Sequence, residues 1–499
     1  MRPLDIPPGV VFEESRVRNT SNWRETHLIR WDGSTLLPIQ GWEFTNFAPF
    51  ASPCRAIHRW TTNDRLRCTA YLCERHCYAD TGGDLIDITP AGGFTAPGGN
   101  VAGYGDLDFN ESTYGTPRAG VSKLGNFTPA YTLGNWGDEL RAMTSPDGRY
   151  LKWVPSTPAT KLVVVPGSPL GRSFTITPER HAMIFGLAGK FDSFGWSDQE
   201  NDGDWNFAST TNKAGSYDIE PSSPIVAQQQ FFAGVLFFTM QAAYVVRSIG
   251  LPYVYNYVEV GKPAVPINAQ SLTEGPDGVM WPSVDGFWLY NGNSIRPIPC
   301  PIWDYVKRYI DFPSSMFYAT VINVTSKNEL WWMYVDNRDN SPTMNTRAII
   351  FEYRRGWWSM AKVSRSCGHV YANDRYPLMS DGLHLLKHEV GYDYPGEAYP
   401  WAETFSMNLS EGQNKATLHQ IMPEIVGDEK AIQFRLLRKN DRTKQAEEVL
   451  GPARQPFNGN GLVDFRETAR DFRMRVEMVK SAAWTLGPIL VDAKERGRK

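Results

Sequence analysis

The 499-residue chain is 41% hydrophobic and 21% charged, a soluble globular composition that excludes a disordered polymer and allows two or three ordinary cores. Fifty-one basic residues stand against 54 acidic ones, a net charge of -3, which excludes a protein whose main work is gripping nucleic acid through its phosphates. Six cysteines in so long a chain do not form the dense framework of a small secreted domain, so reduced thiols are expected.

The chain opens with "MRPLDIPPGVVFEESRVRN", rich in proline and charge and without the apolar core a signal peptide needs. Residues 1-26 are read as an N-terminal arm. Further on, "CTAYLCERHCYAD" offers Cys68, Cys73, His76 and Cys77, zinc-type ligands by identity, but gaps of five and four residues lack the paired two-residue spacing of a knuckle. A strand carrying Cys68 and Cys73, followed by a hairpin turn at Glu74 to His76, is the plainer reading. From Gly92 to Gly125 a glycine-rich run marks a long irregular excursion, set within residues 91-130, of the kind that serves an interface.

The decamer "WSDQENDGDW", Trp196 to Trp205, places Asp198, Glu200, Asp202 and Asp204 at alternate positions, with Gly203 where a calcium-binding loop needs its glycine. Such a loop also needs a bidentate Glu at its twelfth place, and that place is Ser209. An acidic loop with tryptophans packed beneath it is expected; an irregular cation site stays open. The apolar run "FFAGVLFFTMQAAYVV", Phe231 to Val246, is shorter than the roughly 20 residues of a bilayer crossing and fits two buried strands joined by a turn.

Strand signals recur along the whole chain as short aromatic and β-branched runs broken by Gly, Pro, Asn and Asp, while "PIWDYVKRYI", Pro301 to Ile310, is the best helical stretch. Hairpins such as "GVMWPSVDGFWLYNG", "ELWWMYVDN" with "AIIFEYRRGWWSM", and "YPLMSDGLHLLKHE" follow one another at roughly 40 to 50 residues, the scale of a four-stranded propeller blade. The class is all-β: a β-propeller of about six blades over residues 27-395, then a C-terminal β-sandwich-like domain over 396-499. In the last hairpin His384 and His388 precede Glu389, but on a strand an i, i+4 pair stands about 13 Å apart, too far to share one ion.

No nucleophile elbow, phosphate-cradling loop or Cys or Ser with an activating base is found, so no catalytic, cofactor-binding or metal-binding residue is assigned. Whether Asp198, Glu200, Asp202 and Asp204 hold a cation, and whether Cys68, Cys73, His76 and Cys77 hold a metal, is left open.

The ordered motifs "IRWDGSTLLPIQGW", "GYGDLDFNESTYGTPR", "TLGNWGDELRAM", "WSDQENDGDW", "YVVRSIGLPYVYNYVEVG", "DGFWLYNGNSIRPIPCPI", "IIFEYRRGWWSM" and "WTLGPILVDAKERGRK" resemble a family, the tail hub or nozzle (tail stabilisation or tail tubular) proteins of short-tailed bacteriophages. The likeness runs from about His27 to Lys499 and departs from the family at "CERHC" and in the first 26 residues. It implies a non-enzymatic structural virion protein: a hexameric ring below the portal and its adaptor, forming the channel through which double-stranded DNA leaves. Its implied partners are its own copies, the portal-adaptor (head-to-tail connector) protein, tail fibres or tailspikes and a tail-tip or needle protein, in a virion tail assembled in the bacterial cytoplasm, with no membrane insertion. No cofactor is implied. A carbohydrate-binding or carbohydrate-cleaving propeller, tailspike-like, is the alternative, and a monomeric adaptor propeller from a cell is a third.

Overall fold

The structure, a computed structural model, describes residues 1-12, 22-95, 128-341, 343-371, 374-410, 414-439, 448-456 and 461-496. Its strands sort into seven four-stranded antiparallel sheets and two larger ones. The seven are blades. Their first strands, Cys54–Thr61, Tyr131–Trp136, Ser173–Ile176, Ile225–Phe231, Thr273–Gly275, Thr320–Val324 and Cys367–His369, touch one another in that order, and the seventh touches the first. The ring is therefore closed, with one blade more than the six or so expected.

Local sequence explains each blade. Middle strands carry runs that are buried on both faces, as in Glu329–Tyr334, where all six residues are buried. Such a strand has neighbours in its own sheet and a blade packed on either side, so it reads as continuous apolar sequence instead of an alternation. In blades four and five the second strand begins at Gly234 and Gly278, both at positive φ, and a Cβ at either would run into the carbonyl oxygen of Val246 or Tyr290 on the third strand. Glycine is needed there because the backbones approach too closely for a side chain.

Blades are joined by apolar clusters between them. Trp60, Tyr131 and Trp153 fill the space between blades one and two; Phe185, Phe194 and Phe237 fill that between three and four. Blade seven takes its outermost strand, Trp42–Phe44, from near the start of the chain, pairing it with Leu385–His388. Trp42 locks this closure: its ring stacks on His388 (centroids 4.9 Å), lies under the Arg365 guanidinium at 4.5 Å, and its indole N–H donates to the Pro395 carbonyl at 3.3 Å.

The two larger sheets form the sandwich, and here the expected boundaries need correction. Residues 1-26 are not a separate arm, and the propeller does not begin at residue 27. Arg2–Leu4 pairs with Trp484–Arg496, and Trp23–His27 pairs with Trp401–Thr404. Ile29–Asp32 and Thr35–Pro38 form a hairpin that joins Trp484–Arg496 at Leu36. The long strands Lys415–Gly427 and Trp484–Arg496 are the backbone of one sheet; Ile432–Lys439 and Asp471–Met478 are that of the other. One apolar cluster runs from the sandwich, through Phe434, Val476 and Val491, into blades five to seven through Phe287, Trp332 and Met379.

Two short helices, Trp303–Lys307 and Phe312–Tyr318, connect blades five and six. The first lies within the expected helical stretch; the second starts at Asp311, whose carboxylate accepts from Ser314 N–H with Pro313 behind it, an N-terminal signal the apolar periodicity did not show. Most of the glycine-rich excursion, residues 96-127, lies outside the described residues. No helix among the described residues is long and apolar enough to cross a membrane.

Candidate functional site

The decamer lies between the third and fourth strands of blade three, and its carboxylates diverge. Asp198 accepts from the backbone N–H of Lys213 at 2.8 Å, Glu200 pairs with Arg180 at 3.1 Å, and Asp204 accepts from Asn206 N–H at 3.0 Å. Asp202 alone turns inward. Its Oδ2 accepts from Arg141 Nε at 2.5 Å and from the Tyr150 hydroxyl at 3.3 Å, both on blade two. Arg141 is 1% exposed and also pairs with Glu139 at 2.9 Å. Trp205 completes the plug: its indole N–H donates to the Asp202 carbonyl, and its ring enters the cluster of Met143, Tyr150, Phe174 and Ile184 between the blades. The loop is a latch from blade three onto blade two.

The cysteine cluster also divides. Cys68 and Cys73 sit on the strand Arg67–Cys73, with Cys77 opening the next strand after a turn. Five residues apart on a strand, Cys68 and Cys73 face opposite sides. Cys68 and Cys77 enter the core toward blade two, whereas Cys73 faces the seam with blade seven beside Cys54 and Cys367. His76 Nδ1 bonds the Ser52 hydroxyl at 3.0 Å. Burial pushes the Cys68 thiol up to about 11 and raises those of Cys54, Cys73, Cys77 and Cys367, so all five stay protonated at neutral pH. Among the described residues no group of three or more His, Cys, Asp or Glu converges to hold a metal.

His384 bonds Asp381 at 3.1 Å in the hairpin turn, and His388, buried on the strand, accepts from Arg365 Nε at 2.8 Å. Burial and the adjacent Arg365 hold the His388 imidazole neutral, well below its usual range. Glu389 bonds Arg30, which reaches out of the strand Ile29–Asp32 to make two-pronged contacts with both Glu389 and Glu329 at 2.7–2.9 Å. This triad ties the N-terminal hairpin to blades six and seven.

Three surfaces remain as functional candidates. One is the axial channel, a cavity of about 420 Å³ walled by the seven inner strands. Its lining contains no Asp or Glu, and Gln270 of blade five reaches across to blade two, exchanging two hydrogen bonds with the backbone of Tyr131 at 3.2 and 3.3 Å. A second is a cleft of about 400 Å³ where Trp23–His27 meets blade six. Glu397 sits there, its carboxyl raised by burial, but the cationic groups of the wall are engaged: Arg338 and Arg347 on Asp336 and Asp339, Lys362 on Asp339. His27 uses both ring nitrogens, accepting from Lys362 N–H and donating to the Ala398 carbonyl.

The third is the long hairpin of blade four, Ala243–Gly250 with Val254–Gly261. Its base is buried, and its outer half stands clear of the body, with Leu251 72% and Tyr253 68% exposed and Ile249 and Val258 also facing solvent. The sequence clue to this exposure is the set of apolar residues beside "GLP", where a hairpin tip is usually polar.

No family model matches the chain, and no curated protein matches it. Among solved structures it is similar to virginiamycin B lyase from Staphylococcus aureus, at 10% identity over 70% of this chain and 99% of that one, with a TM-score of 0.41. It is also similar to the WD40 domain of Neurospora crassa Pan2, at 8% identity over 73% of this chain and 98% of that one, with a TM-score of 0.36. These are likenesses of propeller fold. A propeller fold by itself does not decide between an enzyme and a binding or structural protein.

Proposed function

We propose that the chain is a structural virion protein, the subunit of a hexameric tail hub or nozzle of a short-tailed bacteriophage. The observation that carries this reading is the projecting apolar hairpin of blade four, a surface suited to burial against another protein. The motif series from His27 to Lys499, which resembles that family, supports this assembly. A rigid joint between propeller and sandwich, made by one continuous core and the Arg30 triad, supports a part whose task is shape. The net charge of -3 supports a wall that does not hold the duplex by its phosphates. In this reading DNA passes between subunits, since a cavity of about 420 Å³ bridged by Gln270 is no path for a duplex.

The tailspike-like alternative, in its cleaving form, needs two facing carboxylates about 5 to 9 Å apart. The lining of the axial channel offers none. The test is mass measurement and imaging of the purified chain, alone and with its portal-adaptor. Rings of six copies that dissolve on Leu251→Asp with Tyr253→Asp support the hub; a monomer that fails to join the connector at any concentration defeats it.

A further inference from the structure

The seam where the ring closes carries a second feature, independent of subunit assembly. The inner strands of blades one and seven, Cys54–Thr61 and Cys367–His369, bring two imidazoles side by side, His58 and His369, with ring centroids 5.9 Å apart. Both are half-buried and line the axial cavity of about 420 Å³. The neighbours of His58 set its tautomer. Its ring stacks on Trp60 with centroids 5.6 Å apart, and its Nε2 lies 3.0 Å from Asn135 Oδ1 on blade two. Asn135 donates its amide Nδ2 to the Gly137 carbonyl at 2.9 Å, so the atom facing His58 is an acceptor and His58 Nε2 must carry the proton. Nδ1 keeps a bare lone pair. Among the described residues His369 makes no hydrogen bond through either ring nitrogen, and these free nitrogens are not sealed into the wall.

Burial keeps both rings neutral, and for His369 the adjacent His58 and Arg59 add to it, holding that imidazole at about 3. Neutral imidazole is the form that ligates metals. The other two imidazoles lowered by burial are already engaged, His27 through both nitrogens and His388 through Arg365. The basic groups nearby are neutralised, Arg55 by Glu74 and Arg59 by Asp374, so a cation in the cavity meets no uncompensated positive charge from them. An ion about 2 Å from one nitrogen of each of two imidazoles sets the ring centres about 5 to 6 Å apart, the spacing observed here. Two imidazoles without a carboxylate suit copper or zinc and not magnesium or calcium.

We propose that the channel binds one divalent metal ion of the copper or zinc class between His58 Nδ1 and His369, with water in its remaining positions, so that the ion staples blade one to blade seven. The test is titration of the full chain with Cu²⁺ at about pH 5, read by electron paramagnetic resonance, beside melting curves with and without Zn²⁺ at neutral pH. At about pH 5 exposed histidines are protonated and release metal, whereas this pair stays neutral. One Cu²⁺ per chain, split by two nitrogens, is expected, and Zn²⁺ should raise the melting temperature while calcium, magnesium and calcium-selective chelators leave it unmoved. His369→Phe, folded by its metal-free melting profile, should lose both the two-nitrogen signal and the response to Zn²⁺. Asn135→Ala leaves both imidazoles in place but frees the His58 tautomer, and should weaken binding about tenfold. No Cu²⁺ retained at about pH 5, splitting by a single nitrogen, or a metal response that survives His369→Phe overturns the assignment.

Discussion

In blades one to six every strand is hydrogen-bonded to a neighbour in the chain, whereas in the sandwich strands from the first 38 residues are paired with strands from the last hundred. The blades are thus local constructions that repeat, and the sandwich is a clasp made by two distant segments. The difference separates what each domain can lose: a blade is supported by neighbours on both sides, but the clasp fails when either of its segments is removed.

Deleting residues 1-26 tests this most severely. A free arm would leave the melting transition untouched; the pairing of Arg2–Leu4 and Trp23–His27 predicts loss of a cooperative sandwich transition, read by calorimetry and limited proteolysis. Next comes Arg30→Met, which strands the buried Glu329 and Glu389 and is expected to destabilise by about 3–5 kcal/mol in a denaturant melt. Asp202→Ala does the blade-side equivalent by leaving the Arg141 guanidinium buried with only half-exposed Glu139, at a loss of about 3 kcal/mol. If the decamer were a calcium site, added calcium or chelator would move the melting temperature instead, and no such movement is expected.

Acid should loosen the clasp by a smaller amount. Burial holds His27 down to about 4, below its ordinary 6.5. Between those values the unfolded chain binds a proton that the folded chain does not, so stability is full above about 6.5 and falls as pH drops toward 4. The loss is of order 3 kcal/mol for this one group, and His27→Asn should flatten the slope of melting temperature against pH. Least of all, Glu200→Gln and Asp204→Asn should leave the melting temperature almost unmoved, since Glu200 is exposed and Asp204 bonds only the solvated backbone of its own loop.

The blades were legible because their hairpins are contiguous: "GVMWPSVDGFWLYNG" contains two strands and their turn, and the structure pairs Val279–Ser283 with Gly286–Tyr290 directly. The seventh blade was harder to count because its closing strand is the three residues Trp42–Phe44, some 340 positions from its partner, and nothing in "WEF" announces that pairing. "WRETH" in the N-terminal stretch escaped for the same reason. At the candidate sites, alternate carboxylates in "WSDQENDGDW" gave the spacing, but direction was hidden: Asp202 turns to Arg141, itself 61 residues away, and its neighbours turn to solvent or backbone. The channel lining was illegible altogether, because Arg55, Tyr131, Gln228 and Asn323 stand on four different blades and border one cavity only when the ring closes.

That the opening segment completes both domains has a consequence for manufacture. A ribosome releases Arg2–Leu4 and Trp42–Phe44 some 340 residues or more before Leu385–His388 and Trp484–Arg496, against which they must lie. Six blades can settle during synthesis while these leading strands stay unpaired, with Trp42 and Trp23 unprotected. A subunit is then finished only once Trp484–Arg496 has emerged, so products truncated before that strand are poor competitors for any place in a larger assembly.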